Sequence, residues 1–283
     1  MNLNNKFILV FVHIEKAAGT TFNYILRKNF LFRHYEVRPF SIQSRKIFQP
    51  NDFKLALTIN PFIKSISGHS ISPTVNLTNI YPNLRYITLL RDPIKRYVSH
   101  FWYWIKRLKR NLTFEDFLQI EDLWNFQTKK IAVCENLEIA KEILKNKFWL
   151  VGIVEEFDEF LLILKNKLLP LSFDPLYRKE NVGLGNKKYR YYMAWLIEKY
   201  SKDIIQRNKI DLQLYEFVKE NFYQEKQNYS SVLKKELLDF RDKLSSYKWP
   251  ISIYLDFIYR KLYIDIVTGI IRKKRGLPYK GSY

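Results

Sequence analysis

An apolar run that stops at a histidine and gives way within a few residues to a helical pattern constrains this chain more than any other feature. The run is "KFILVFVH", Lys6 to His13, and it continues as "IEKAAGTT". Phe22, Ile25, Leu26 and Phe30 then recur with the spacing of one apolar helix face, so a helix begins near Thr20 or Thr21. A buried strand that feeds a loop and then a helix leaves the first helical N–H groups unpaired and points the positive end of the helix dipole at the loop. Such a loop suits a phosphate-like or sulfate-like anion. Gly19 lets the backbone approach closely, Thr20 and Thr21 supply hydroxyl donors, and Lys16 supplies a mobile positive charge. Taken alone, the same residues also read as a capped helix behind a solvated lysine. The lysine precedes the glycine instead of standing directly before a Ser/Thr, so this is not the Walker A arrangement of magnesium-dependent ATP- or GTP-hydrolysing enzymes.

Three more runs read as buried strands: "KLALTI" (Lys54 to Ile59), "RYITLL" (Arg85 to Leu90) and "FWLVGIV" (Phe148 to Val154). Each is followed by a helical pattern, which predicts an α/β fold with a parallel sheet flanked by helices. Helices are expected from about Pro93 to Arg110, over 135–146 and over 156–168, with a capping box in "TFED" at Thr113 to Asp116. From about residue 188 the pattern is helical almost to the end. Residues 1–220 are read as the core and 221–283 as a basic helical extension packed on the core or on a membrane surface. Within that extension, "ISIYLDFIYRKLYIDIVTGII" (Ile251 to Ile271) is apolar. Its four ionisable residues, Asp256, Arg260, Lys261 and Asp265, argue against a membrane-spanning helix. With "RKKR" behind it, the segment suits packing on its own domain or peripheral contact with an anionic membrane through residues 250–275.

The net charge of +20 over 283 residues biases the surface towards anionic partners, whether nucleotides, acidic glycans, nucleic acid or lipid. One cysteine, Cys134, excludes an internal disulfide framework or a multi-cysteine metal site, and a reducing cytoplasm is the simpler expectation. The Asn-x-Ser/Thr triplets at Asn76, Asn111 and Asn228 carry no weight in that setting. The N-terminus lacks the basic, apolar and small-residue pattern of a signal peptide and is read as mature sequence.

A second anion-binding candidate is "ITLLRDPIKRYVSHF", Ile87 to Phe101, where a strand ends in Arg91-Asp92-Pro93 and feeds a helix carrying Ser99 two turns in. Arg91 and Ser99 are candidates to converge on one anion. The alternative is structural: Asp92 caps the helix, Arg96 is exposed and Ser99 rests against a neighbouring backbone.

With both elements in order, the chain resembles the sulfotransferases that use 3′-phosphoadenosine 5′-phosphosulfate (PAPS). The resemblance is to the branch of heparan sulfate 2-O- and 6-O-sulfotransferases and bacterial carbohydrate sulfotransferases. "HIEKAAGTT" is similar to that branch's opening loop, and "RDPIKRYVS" to its R-D-P-x-x-R-x-x-S element about 75 residues later. Weaker likenesses follow at "SGHS" (Ser67 to Ser70), "NFQTKKIA" (Asn125 to Ala132), "LVGIVEEFDEFLLIL" (Leu150 to Leu164) and "NKIDLQLYEFV" (Asn208 to Val218). The resemblance spans roughly residues 6–220. It implies a P-loop-like sheet, PAPS as donor and no metal. Lys16, Ala18, Gly19, Thr20 and Thr21 would contact the 5′-phosphosulfate, and Arg91 and Ser99 the 3′-phosphate. The implied reaction is in-line attack of a hydroxyl, on a carbohydrate or glycolipid acceptor, at sulfur.

Such a hydroxyl needs a base that titrates near neutrality, which favours histidine. Of His13, His34, His69 and His100, His69 in "SGHS" is similar in position to the family's base. His13 is read as supporting, His100 as facing away from Ser99, and His34 lies in no motif. The basic loop "YRKENVGLGNKK" offers Arg178 and Lys179 as further phosphate contacts, and "WIKRLKRN" (Trp104 to Asn111) adds four cations that guide an acidic acceptor or end a solvated helix. A P-loop-like kinase is the nearest rival reading, and a basic nucleic-acid-binding protein a minor one, since no nucleic-acid module is recognisable.

Overall fold

The computed structural model of the protein describes residues 7–41, 47–178 and 187–279. Strands β1 (Ile8–Val12), β2 (His34–Glu36), β3 (Ser65–Gly68), β4 (Leu84–Leu90) and β5 (Phe148–Ile153) form one sheet in the order β2-β3-β1-β4-β5. All four pairings are parallel. The helices are α1 (Gly19–Phe30), α2 (Pro50–Ile59), α3 (Pro93–Lys106), α4 (Phe114–Leu118), α5 (Phe126–Ala132) and α6 (Leu137–Lys147). After β5 come α7 (Phe157–Lys167), α8 (Lys187–Arg207), α9 (Lys209–Asn228), α10 (Ser230–Ser246), α11 (Ser252–Tyr259) and α12 (Asp265–Lys274). The α/β class is as expected, with a helical C-terminal part. Helix α9 runs unbroken across residue 220. No described helix is long and apolar enough to cross a membrane.

Every residue of β1 is buried, as the central position of an all-parallel sheet requires. Phe11 of β1 meets Phe22 of α1 at 4.6 Å, and Phe22 meets Phe160 of α7 at 5.8 Å, so α1 and α7 share one face of the sheet. A second core joins α3, α4 and α8 through Tyr97, Phe101, Phe117 and Tyr200. The "TFED" capping box forms: Thr113 Oγ1 accepts from Asp116 N at 3.1 Å while Asp116 Oδ2 accepts from Thr113 N at 2.9 Å. Helix α3 stops at Lys106, short of the expected Arg110, and Lys109 beyond it has a left-handed backbone (φ 55°).

One expected strand is a helix. "KLALTI" lies in α2, where Pro50 takes the first turn and Gln49 and Asp52 form a capping box. Its buried residues Phe53, Ala56 and Ile59 recur every three residues, not every two. The sheet is completed instead by "HYE" and "SISG", short polar strands with no apolar run to announce them. Beside the backbone ladder, His34 ties the two strands together: Nδ1 lies 2.7 Å from Ser65 Oγ and Nε2 3.2 Å from Ser67 Oγ, across the β2–β3 pair. Both serines are fully buried, and the ring satisfies both hydroxyls. Burial, the dominant influence, pushes His34 down to about 3, so it serves as a neutral tie.

Candidate functional site

Chain connections leave β1 towards β2 on one side of the sheet and leave β4 towards β5 on the other. Ligands of open α/β sheets gather in the crevice that such a divergence leaves at the carboxyl ends of the strands. Val12 pairs with Gly68 of β3 and Thr88 of β4, so the loop after β1, His69 after β3, and Arg91 after β4 emerge side by side.

The β1 loop is held in an unusual shape. Lys16 (φ 69°) and Ala18 (φ 56°) both adopt left-handed backbone, at a cost on the order of 1 kcal/mol each for residues with a Cβ. Ala18 is the residue preceding α1, with no side-chain cap, so Thr20 and Thr21 lie in the first turn and do not cap it. Thr20 is exposed and Thr21 buried. Arg91 Nη1 donates to Lys16 O at 3.0 Å, fastening this loop to the end of β4. The Lys16 ammonium lies 4.7 Å from the Tyr103 ring centroid on α3. Burial, then the charges of Arg91 and Arg107, bring the Lys16 amine down to about 8. Ser99, Tyr103 and Arg107 are spaced four apart on or just past α3, so Ser99, itself buried, shares the face that Tyr103 turns to Lys16.

Gly19 has a role the sequence did not indicate. A Cβ built there falls 1.7 Å from His13 Nε2, so the missing side chain makes room for an imidazole. His13 is buried between Phe11 and His69, its ring centroid 3.9 Å from that of His69. Burial and then the neighbouring His69 push its pKa well down. His69 Nδ1 lies 3.0 Å from the His13 carbonyl oxygen and 3.4 Å from Glu15 Oε1. A carbonyl can only accept, so Nδ1 carries the proton and Nε2 is the basic nitrogen of the neutral ring. Burial opposes ionisation of Glu15, but the hydrogen bond from His69 and the positive charge of Lys130 hold its carboxyl well below the usual carboxylate range.

The "RDP" turn is braced from behind. Asp92 caps α3, accepting from Lys95 N at 2.8 Å. Gln127 clamps Arg91 both ways, its Oε1 accepting from Arg91 N at 2.9 Å and its Nε2 donating to Arg91 O at 2.8 Å. Gln127 is fixed in turn by Asp211 of α9, whose carboxylate accepts from Gln127 N, Thr128 N and Thr128 Oγ1 at 2.7–2.9 Å. Asn125 Oδ1 reciprocates, accepting from Ile210 N and Asp211 N. Burial raises the Asp211 pKa, against Arg96 and these donors. The two weakly matching segments, "NFQTKKIA" and "NKIDLQLYEFV", thus meet as one brace under Arg91. Asp211→Ala strips the acceptor from two buried N–H groups and is expected to lower unfolding free energy by roughly 3–5 kcal/mol in chemical denaturation, with Asp211→Asn costing less.

Arg96 and His100 lie within side-chain packing. Arg96, expected at the surface in the structural reading, is fully buried against Phe126 (4.7 Å) and His100 Nδ1 (3.2 Å). His100 faces this aromatic packing, and burial, reinforced by Arg96, pushes it down to about 3. Tyr177 OH donates to Asp158 at 2.8 Å, so Arg178 leaves the chain near the start of α7; Lys179 lies outside the described residues. Glu15, Tyr103, Gln127 and Asp211 were not singled out in the sequence, and Arg107 entered only as one of the four cations of "WIKRLKRN". Tyr103 and Arg107 carried a signal, since each continues the four-residue step from Ser99.

No family model and no curated protein matches the chain. Among solved structures, a sulfotransferase from Alicyclobacillus acidocaldarius aligns over 74% of this chain and 96% of its own, at 16% identity and a TM-score of 0.42.

Proposed function

We propose that this protein is a sulfotransferase that moves the sulfuryl group of PAPS to a hydroxyl of a carbohydrate or glycolipid, with Lys16 and His69 as its catalytic residues. The observation that carries this reading is that the β1–β3 pairing sets the strained strand-to-helix loop that bears Lys16 beside the end of β3, where His69 has its Nδ1 committed to His13 O and Glu15. The surroundings of the loop fit a polyanionic donor: Arg91 and Arg107 are the charges that depress Lys16, and a bound anion relieves that repulsion. Lys16, Ala18, Gly19, Thr20 and Thr21 would hold the phosphosulfate, and Arg91 and Ser99 the 3′-phosphate. PAPS supplies an activated sulfuryl group.

His69 Nε2 takes the proton of the acceptor hydroxyl as its oxygen bonds to sulfur. Lys16 stands against the bridging oxygen, which gains charge as the old S–O bond breaks and its electron pair leaves with adenosine 3′,5′-bisphosphate. The Nδ1 contacts orient the ring, and Glu15 stabilises the imidazolium formed.

Calorimetry with adenosine 3′,5′-bisphosphate and an assay with labelled PAPS against polysaccharide and glycolipid acceptors test the proposal. His69→Ala is expected to retain nucleotide binding while turnover falls by about 10²–10⁴-fold. Transfer should persist in EDTA, which separates this reading from a magnesium-dependent kinase. Absence of both nucleotide binding and transfer would overturn it.

A further inference from the structure

Helices α11 and α12 are joined by a π turn over Arg260–Ile264 and run along the β2 edge of the sheet. Tyr263 OH donates to Ile59 O, Arg38 pairs with Asp265 at 3.0 Å, and Arg272 donates to Pro39 O. The inward residues Asp256, Arg260, Ile264, Thr268 and Arg272 recur every four positions. An unmodified α-helix turns every 3.6 residues and would carry such a row off the contact; the wider π turn reduces that drift. The same spacing aligns an opposite row that nothing among the described residues covers: Ile251, Leu255, Ile258, Leu262, Ile266 and Ile270 are all exposed, Ile251 at 78% and Leu262 at 68%. At the α11 end this row borders an apolar hollow of about 620 Å³ walled by Phe32, Phe62, Leu255 and Ile258.

The charge on this side is of one sign. Both acids of the segment are turned away or paired, Asp256 being fully buried and Asp265 held by Arg38 and Lys261. Lys273, Lys274 and Arg275 are exposed at one end of the row, and Arg33 at the hollow. Two copies meeting through such faces would oppose like charge to like in a chain that already carries +20.

We infer that the outward face of α11–α12 docks this protein peripherally on an anionic phospholipid bilayer, the apolar row entering the headgroup–acyl boundary and the flanking cations meeting lipid phosphates. The full chain is expected to co-sediment with phosphatidylcholine vesicles containing roughly 30 mol % phosphatidylglycerol, to release as salt is raised, and to ignore pure phosphatidylcholine. The pair Leu262→Glu and Ile266→Glu, both at exposed positions, should weaken vesicle binding about tenfold or more, and Lys273→Glu with Lys274→Glu should do the same without touching the apolar row. Circular dichroism of each variant should match the parent. Binding that both pairs leave intact, or no binding at all, would overturn the inference. So would a self-association, seen by sedimentation, that the first pair abolishes in a chain that ignores vesicles; the face would then belong to a second copy.

Discussion

Lys16→Ala is expected to lower turnover with PAPS by about 10²–10³-fold, the usual loss when one donor aimed at developing charge is removed. Loss of nucleotide affinity should be smaller, because Arg91 and the loop backbone remain. The ammonium also supplies a pH signature. Burial and the cations Arg91 and Arg107 place the Lys16 amine at about 8, so in the free protein its charge is present below that pH and lost as pH rises through it. Affinity for adenosine 3′,5′-bisphosphate should therefore decline above about pH 8 in the parent, and that limb should vanish in Lys16→Ala. A variant that keeps both turnover and the alkaline limb would remove Lys16 from the mechanism.

Gly19→Ala should be nearly as damaging, for a steric reason. The added methyl would fall 1.7 Å from His13 Nε2 and 1.9 Å from its Cδ2, and the ring is confined by Phe11 and His69. Overpacking of this kind costs about 1–3 kcal/mol, and here the displaced ring presses directly on His69. Thermal unfolding should show a clear drop for Gly19→Ala alone. Adding His13→Ala to Gly19→Ala should restore much of the loss, a non-additive recovery confined to residues in contact. If the double variant is the sum of its parts, the glycine is needed for something other than the imidazole.

What could be read from the sequence depended on whether a residue's role was local. Strands β1 and β5 are uninterrupted apolar runs, β4 is a mainly apolar one broken by Arg85 and Thr88, and the "TFED" box is complete within four residues, so all were legible. "KLALTI" misled because a six-residue apolar stretch fits either period, and the deciding capping box lies upstream at Gln49 and Asp52. "SISG" could not be found locally, since the hydroxyls of its buried serines are satisfied by His34, 31 residues from Ser65 and 33 from Ser67. The same division holds at the candidate site. Lys16, His69 and Arg91 stand out by motif, and the sheet order brings the three chain segments together. The partners that orient them, Glu15 on His69 and Gln127 on Arg91, follow from topology and side-chain reach.

The brace under Arg91 also sets a timetable for synthesis. Gln127 is held by Asp211, 84 residues later, so the clamp on the "RDP" turn lacks its backing while α9 is still inside the ribosome. At 5–20 residues per second that delay is roughly 4–17 s, with Arg91, its strand and the β1 loop all made but not yet fixed. A nascent chain released before α9 should therefore carry every candidate catalytic residue and still lack the braced turn under Arg91.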